Sequence, residues 1–195
     1  GFGTDNDDLA FWPIGLDNKD VWPFGGRTDR LMIVSPFVDK TCIDWLKKEG
    51  DIHALISRAE ELDKIPKSAL EEVAEQYVLI DAAEAEPAEK DSSSQSNADV
   101  VESPEKGEEG LAVEASGAQL RGLHAKLYVA DTGWNARLWT GSANATRAAF
   151  SENLEFLVEL RGKKSQIGID ALLGSGEQVE GKDRSVRFRD LLVPY

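Results

Sequence analysis

The 195-residue chain has few of the residues that build cross-links and metal centres: one cysteine, Cys42, and two histidines, His53 and His124. A single thiol excludes an intrachain disulfide and points to a reducing, cytoplasmic setting. No Cys/His cluster exists from which a zinc site could be assembled, so neither a metal nor another cofactor is expected. Long hydrophobic runs are also lacking. No stretch approaches the roughly 18 apolar residues of a membrane-spanning helix. Basic charge is in deficit, with 22 Lys and Arg against 36 Asp and Glu and a net charge of −14. That balance argues against tight, nonspecific binding to duplex nucleic acid. No internal repeat is found. The first residue is Gly, not Met. The expectation is therefore an excerpt of a longer chain, with a signal or a further domain left open.

What is present suits a globular domain: 41% hydrophobic residues and five Trp, in a chain long enough for a sizeable core. The charge is unevenly spread. Residues 1–80 carry −7, residues 81–119 carry −9, and residues 120–195 carry +2. The acid is concentrated in one segment, and the C-terminal part leaves room for a local phosphate site.

Residues 1–29 are rich in Gly, Asp and aromatics, with Trp12-Pro13 and Trp22-Pro23 steps that force extended backbone. They read as an irregular arm packing its rings on the domain surface. Arg30–Val38 is a continuous apolar run, as in a strand buried on both faces. Asp39 is the expected N-cap of a helix through Lys48, closed by Gly50 at the C′ position. Strands are expected at 51–57 and 76–80, with one or two helical pieces between them and Pro66 opening the second. From about 82 to 119 the sequence is acidic and of low complexity, which reads as a disordered insertion. Strands follow at 120–130, 136–140 and 154–160, with a short helix at 143–151. An amphipathic piece over 167–173 ends near Gly174. The strand–helix alternation predicts an α/β sheet.

The chemistry lies in Gly122-Leu-His124-Ala-Lys126 and Gly141-Ser142-Ala-Asn144. Residues two apart on a strand share a face, so His124, Lys126 and Tyr128 are expected together on one side. Leu123, Ala125, Leu127 and Val129 then turn toward the core. A neutral imidazole can attack phosphorus and an ammonium can hold phosphoryl oxygens. Ser142 and Asn144 can offer a hydroxyl and an amide to the same phosphate. Asp131 falls on the opposite strand face and is read as structural.

The constellation His124-x-Lys126, four residues, Asp131, then Gly141-Ser142-x-Asn144 resembles the HKD signature of the phospholipase D superfamily. Asn153-x-Glu155 matches as well, its Glu eleven positions after Asn144, a spacing like that of the small bacterial endonucleases of the superfamily. One departure is the nine residues between Asp131 and Gly141, more than the commoner spacing, which implies a longer hairpin. The resemblance spans roughly residues 30–160. It implies an α/β phospholipase D-like half-domain over 30–195, with a mixed β-sheet flanked by helices on both faces. It implies His124 as the nucleophile, Lys126, Asn144 and Ser142 on the phosphate, and Glu155 accepting from the imidazole. The catalytic set is thus His124, Lys126, Asn144 and Glu155, with no metal.

The superfamily reaction uses two histidines. His53 has Leu55 where the signature needs Lys and reads as an ordinary strand residue. A complete site is therefore expected from a twofold homodimer, or from a second half outside this chain. Three functions follow. One is a metal-independent phosphodiesterase acting on nucleic acid through a phosphohistidine, with Arg121, Arg137, Arg147, Lys163, Lys164, Arg187 and Arg189 lining a strand path. The second is a phospholipase or phosphatidyl transferase. The third is a non-catalytic module binding phosphate-bearing ligands or partners.

Overall fold

The computed structural model describes residues 9–15, 21–79, 123–174 and 188–195. The acidic segment read as an insertion at 82–119 lies outside them. Eight strands form one sheet: β1 Leu9–Ile14, β2 Arg30–Val34, β3 Asp51–Ile56, β4 Glu75–Leu79, β5 Leu127–Thr132, β6 Asn135–Gly141, β7 Glu155–Lys163 and β8 Leu192–Pro194. Their order is β1-β7-β6-β5-β2-β3-β4-β8. The β2–β3 and β3–β4 pairs are parallel, and the other pairs are antiparallel. The sheet is therefore mixed, as expected.

Helices cover both faces. On one lie α1 Lys40–Leu46, α2 Ala59–Leu62, α3 Lys67–Leu70 and α4 Arg147–Ser151. Their Ile43, Leu46, Leu62, Leu70 and Phe150 share a core with Leu31, Ile33, Leu55, Tyr128 and Trp139 of the sheet. On the other lie α5 Lys164–Ile167, α6 Ile169–Leu173 and a 3₁₀ turn at Phe188–Leu191. There Ile169 and Leu173 pack on Met32, Val34, Ala54, Val129 and Leu138. Alternate residues of β2 thus enter opposite cores, which explains its unbroken apolar sequence.

Several boundaries correct the sequence reading. The N-terminal stretch is not wholly an irregular surface arm. Residues 9–14 form edge strand β1 on β7, and Pro13 is tolerated because one side of an edge strand needs no N–H donor. Phe24 is 2% exposed and meets Trp22, Tyr128, Trp139 and Phe150 at ring separations of 4.6–5.5 Å. The arm's rings therefore build the core. Asp39 caps α1 through Cys42 N–H at 2.8 Å, but the helix ends at Leu46. Gly50 serves a close approach instead of a left-handed cap: a Cβ there would lie 2.5 Å from the Thr28 carbonyl. Pro66 precedes α3 as its N-cap. The piece expected over 167–173 is split at Gly168 into α5 and α6, and left-handed Gly174 closes α6.

Two buried carboxylates tie the layers together. Asp131 receives Arg30 Nη2 at 2.7 Å, and Arg30 also reaches Asp170 at 2.8 Å. This agrees with the structural reading of Asp131. Glu159 is wholly buried between Arg137 and Arg161, each at 2.7 Å, and also accepts from Trp12 Nε1 at 2.7 Å. Burial alone would raise the Glu159 pKa, but the bonds from Arg137, Arg161 and Trp12 outweigh it and hold the carboxyl at about 2, against an ordinary 4.5. A depressed pKa contributes stability above the ordinary value, and that contribution is lost as pH falls from about 4.5 to about 2. In urea unfolding, Glu159→Gln is expected to be less stable than wild type at pH 7, with the gap closing below pH 4.5. A gap constant over that range would contradict the assignment.

Candidate active site

Because β5 runs antiparallel to β2, with Leu127 opposite Val34, the start of β5 lies beside the end of β2. The end of β6 and the start of β7 come to the same edge, through Thr140 opposite Leu127 and Gly141 opposite Leu157. The 123–126 segment, the 141–146 turn, Glu155 and the residues following β2 and β3 therefore share one end of the sheet.

His124 and Lys126 are not in a strand, contrary to expectation. β5 begins at Leu127, and residues 123–126 are coil. Beyond Val34 the chain turns away into the Ser35-Pro36 bend, so β5 has no partner to pair with before Leu127. The segment is nevertheless fixed. Leu123 is buried, and its carbonyl accepts from Arg58 Nη2 at 3.1 Å. Thr140 Oγ1 donates to the Lys126 carbonyl at 3.0 Å. Lys126 Nζ folds back to the His124 carbonyl at 3.2 Å. His124 itself is exposed, and among the described residues its imidazole makes no hydrogen bond.

The 141–146 turn is clamped more tightly. A Cβ on Gly141 would lie 2.0 Å from the Phe156 carbonyl, so only glycine allows β7 to pass this close. Ser142 N–H donates to that carbonyl, and Phe156 N–H donates to Ser142 Oγ, both at 3.0 Å. Ser142 Oγ in turn donates to Glu155 in a short hydrogen bond, and Asn153 Nδ2 donates to the other Glu155 oxygen at 3.3 Å. Tyr128 Oη donates to the Ala143 carbonyl at 3.1 Å. Ser35 Oγ accepts from Ala145 N–H at 2.9 Å. Asp39 donates its N–H to the Ala145 carbonyl and accepts from Arg147 N–H at 2.6 Å, so it caps α1 and also takes the first N–H of α4, whose own N-cap is Thr146.

Asn144 sits between these anchors. Its side chain is half-buried, and among the described residues the buried Oδ1 has no hydrogen-bond partner. An unpartnered buried amide oxygen is uncommon in a settled core. Beneath this turn, burial raises the Tyr128 pKa well above its ordinary value, with Cys42 and Glu155 adding to the effect. That phenol stays protonated and acts as a donor.

The structure thus brings Lys126, Ser142, Asn144 and Glu155 to one edge with His124. It does not join Glu155 to His124. Glu155 instead accepts from Ser142, which lies opposite the neighbouring Phe156 in the β6–β7 ladder. Of the residues expected along a strand path, Arg147 opens α4 at the site end, with its N–H on Asp39. Arg137, Lys163 and Lys164 lie toward the opposite end of the sheet, and Arg189 stacks on Tyr77. Arg121 and Arg187 are outside the described residues. Three supporting residues escape the sequence reading, Ser35, Arg58, and Asp39 in its second role, while Tyr128, expected beside His124 and Lys126, is buried in the core instead. Only the Asp39 cap left a local signal.

Residues 40–171 match the family model described as "Cardiolipin synthase, PLD-like domain". The match covers more than half of the chain, which belongs to this phospholipase D-like family. No curated protein matches it. Among solved structures, the chain is similar to yeast tyrosyl-DNA phosphodiesterase, at 10% identity and a TM-score of 0.46 over 77% of this chain and 32% of that one. A mutant form of the yeast enzyme aligns at 12% identity and a TM-score of 0.43, over 77% and 31%. The chain spans about a third of the length of these structures. No helix among the described residues is long and apolar enough to cross a membrane.

Gly141→Ala is expected to force β7 away from the turn and to cost about 2–4 kcal/mol, read as a lower thermal midpoint. A midpoint unchanged from wild type would show that the close approach is not required.

Proposed function

We propose that this domain hydrolyses phosphodiester bonds in nucleic acid without a metal, through a covalent intermediate on His124. The observation that carries the reading is the gathering of His124, Lys126, Asn144 and the Ser142–Glu155 pair at one sheet end, where Asn144 Nδ2 can donate to a phosphate oxygen. An imidazole nitrogen of His124 attacks phosphorus, and the bond to the leaving oxygen breaks. The Lys126 ammonium and the Asn144 amide hold the non-bridging oxygens as charge builds. The leaving oxygen takes a proton from a second imidazole. Water then attacks the phosphohistidine, returns a proton to that second imidazole, and frees His124. Ser142 reaches the phosphate by releasing Glu155, and the freed carboxylate can accept from His124.

The second imidazole is assigned to His124 of another copy in a twofold dimer. His53 is unsuited to the task. It is half-buried near the start of β3, at a bulge where β2 offers no opposite residue, away from the site end. Nucleic acid is favoured by Arg58 and Phe37 beside the His124 segment. The guanidinium lies 5.0 Å from the centre of a ring that is 42% exposed. Such a cation–aromatic pair can seat a base next to a bound phosphate. A lipid phosphodiester is the second reading, supported by the exposed Phe37, Leu154 and Phe156 at this same end.

A substrate panel separates these readings. Wild type is expected to cleave DNA or RNA in EDTA, and His124→Ala to lose at least about 1,000-fold in rate. Activity that needs a metal, or that survives the substitution, would defeat the proposal. Turnover of phosphatidylcholine alone would establish the lipid reading. Sedimentation is expected to show a dimer, and a fully active monomer would defeat the shared site.

A further inference from the structure

The opposite end of the sheet carries a second feature that the proposed chemistry does not use. The β5–β6 hairpin turns tightly at Gly133-Trp134, and Gly133 takes φ +56°. The extra residues between Asp131 and Gly141 therefore lengthen the hairpin strands and push its tip outward. Trp134 at that tip is 88% exposed and touches no other aromatic ring among the described residues. Its carbonyl is pinned by Lys164 N–H at 3.0 Å, so the backbone beneath the ring is held in place.

Cations flank the hairpin that carries this ring. In the β6–β7 ladder, Asn135 is opposite Lys163 and Arg137 is opposite Arg161. Two clefts, of about 730 and 250 Å³, share Asn135 and Arg137 as walls, so they form one trough. Arg161 and Lys163 line one side of it, and Arg27 lines the other. Glu159 offsets one of these four positive charges. Asp131 is paired with Arg30, and Asp29, which accepts from Gly133 N–H at 2.7 Å, offsets a second charge and leaves a net positive trough. Lys163 makes no ion pair among the described residues. A basic trough whose wall residue Asn135 directly follows an exposed Trp134 is conspicuous on a chain of net charge −14.

We infer that this trough is a second contact for single-stranded nucleic acid, with Trp134 stacking a base and Lys163, Arg161 and Arg27 tracking the phosphates. The inference rests on the nucleic-acid reading for its ligand class. Asn135 and Gly141 bound the same strand, so the trough lies about 20 Å from the site at the usual rise per residue. A strand of several nucleotides spans that distance. Contacts of this kind carry no base readout and weaken steeply with salt. The trough therefore favours long substrates over short ones without touching the reacting phosphate.

The test uses the full chain carrying His124→Ala, which removes turnover, and a fluorescein-labelled dodecathymidylate read by anisotropy. Trp134→Ala and Lys163→Glu, added singly, are each expected to weaken binding about tenfold, and Trp134→Phe to restore most of the affinity. Lys163→Glu should also flatten the salt dependence. With His124 intact, neither substitution should change turnover of bis(p-nitrophenyl) phosphate. Thermal midpoints equal to wild type confirm that the variants are folded. Unchanged oligonucleotide binding in both variants overturns the inference, as does tighter binding of a poly-glutamate of equal length, which would make the trough an acidic-protein site. If the wild type binds through Trp134 but cleaves no nucleic acid, the proposed function fails and this contact stands. If it cleaves while both variants bind normally, the reverse holds.

Discussion

The pairing of β5 against β2 is the constraint from which the site follows. Parallel β2, β3 and β4 send their C-terminal ends to one edge, and an antiparallel β5 must begin at that edge. The segment before β5 and the turn after β6 then face the bends that follow β2 and β3. Ser35, Asp39 and Arg58 come from those bends, and each holds a backbone group of the site segments. Reversing β5 would place His124 and Lys126 at the far end, away from all three. The site is thus built at the end of a hydrogen-bonded ladder.

The two ends of the sheet differ in their electrostatics. At the site end, most polar groups are paired locally, and among the described residues Ser57 Oγ, Arg58 Nε and Asn144 Oδ1 are buried without a partner. At the other end, a buried carboxylate is held by two arginines, and the surplus positive charge borders solvent. Glu159 makes this possible, since Arg137 and Arg161 opposite each other would repel without it. The same cluster joins β1, β6 and β7, so the basic surface and the stability of that edge share one origin.

The apolar runs of β2 and β3 were legible in the sequence because both faces of those strands are buried. The signature residues were legible because their spacing is local. Other features depend on partners distant in the chain. β1 was hidden by Pro13 and by neighbouring Gly and Asp, and its strand character comes from pairing with β7. Phe24 looked like a surface ring because nothing near it in sequence shows Tyr128, Trp139 and Phe150 converging on it. The alternation through Leu123–Val129 suggested a longer strand, yet β2 ends before it could pair. The Ser142–Glu155 bond arises from register across two strands, and no spacing within one segment could reveal it.

The central claim is that His124 takes the phosphoryl group covalently. Rapid alkaline quench of wild type during turnover of an oligonucleotide with a radiolabelled scissile phosphate, followed by peptide mapping, tests it most directly. The account predicts label on the peptide containing His124 and none when the substitution is His124→Asn. Label on another residue, or steady turnover with no labelled peptide, would contradict it.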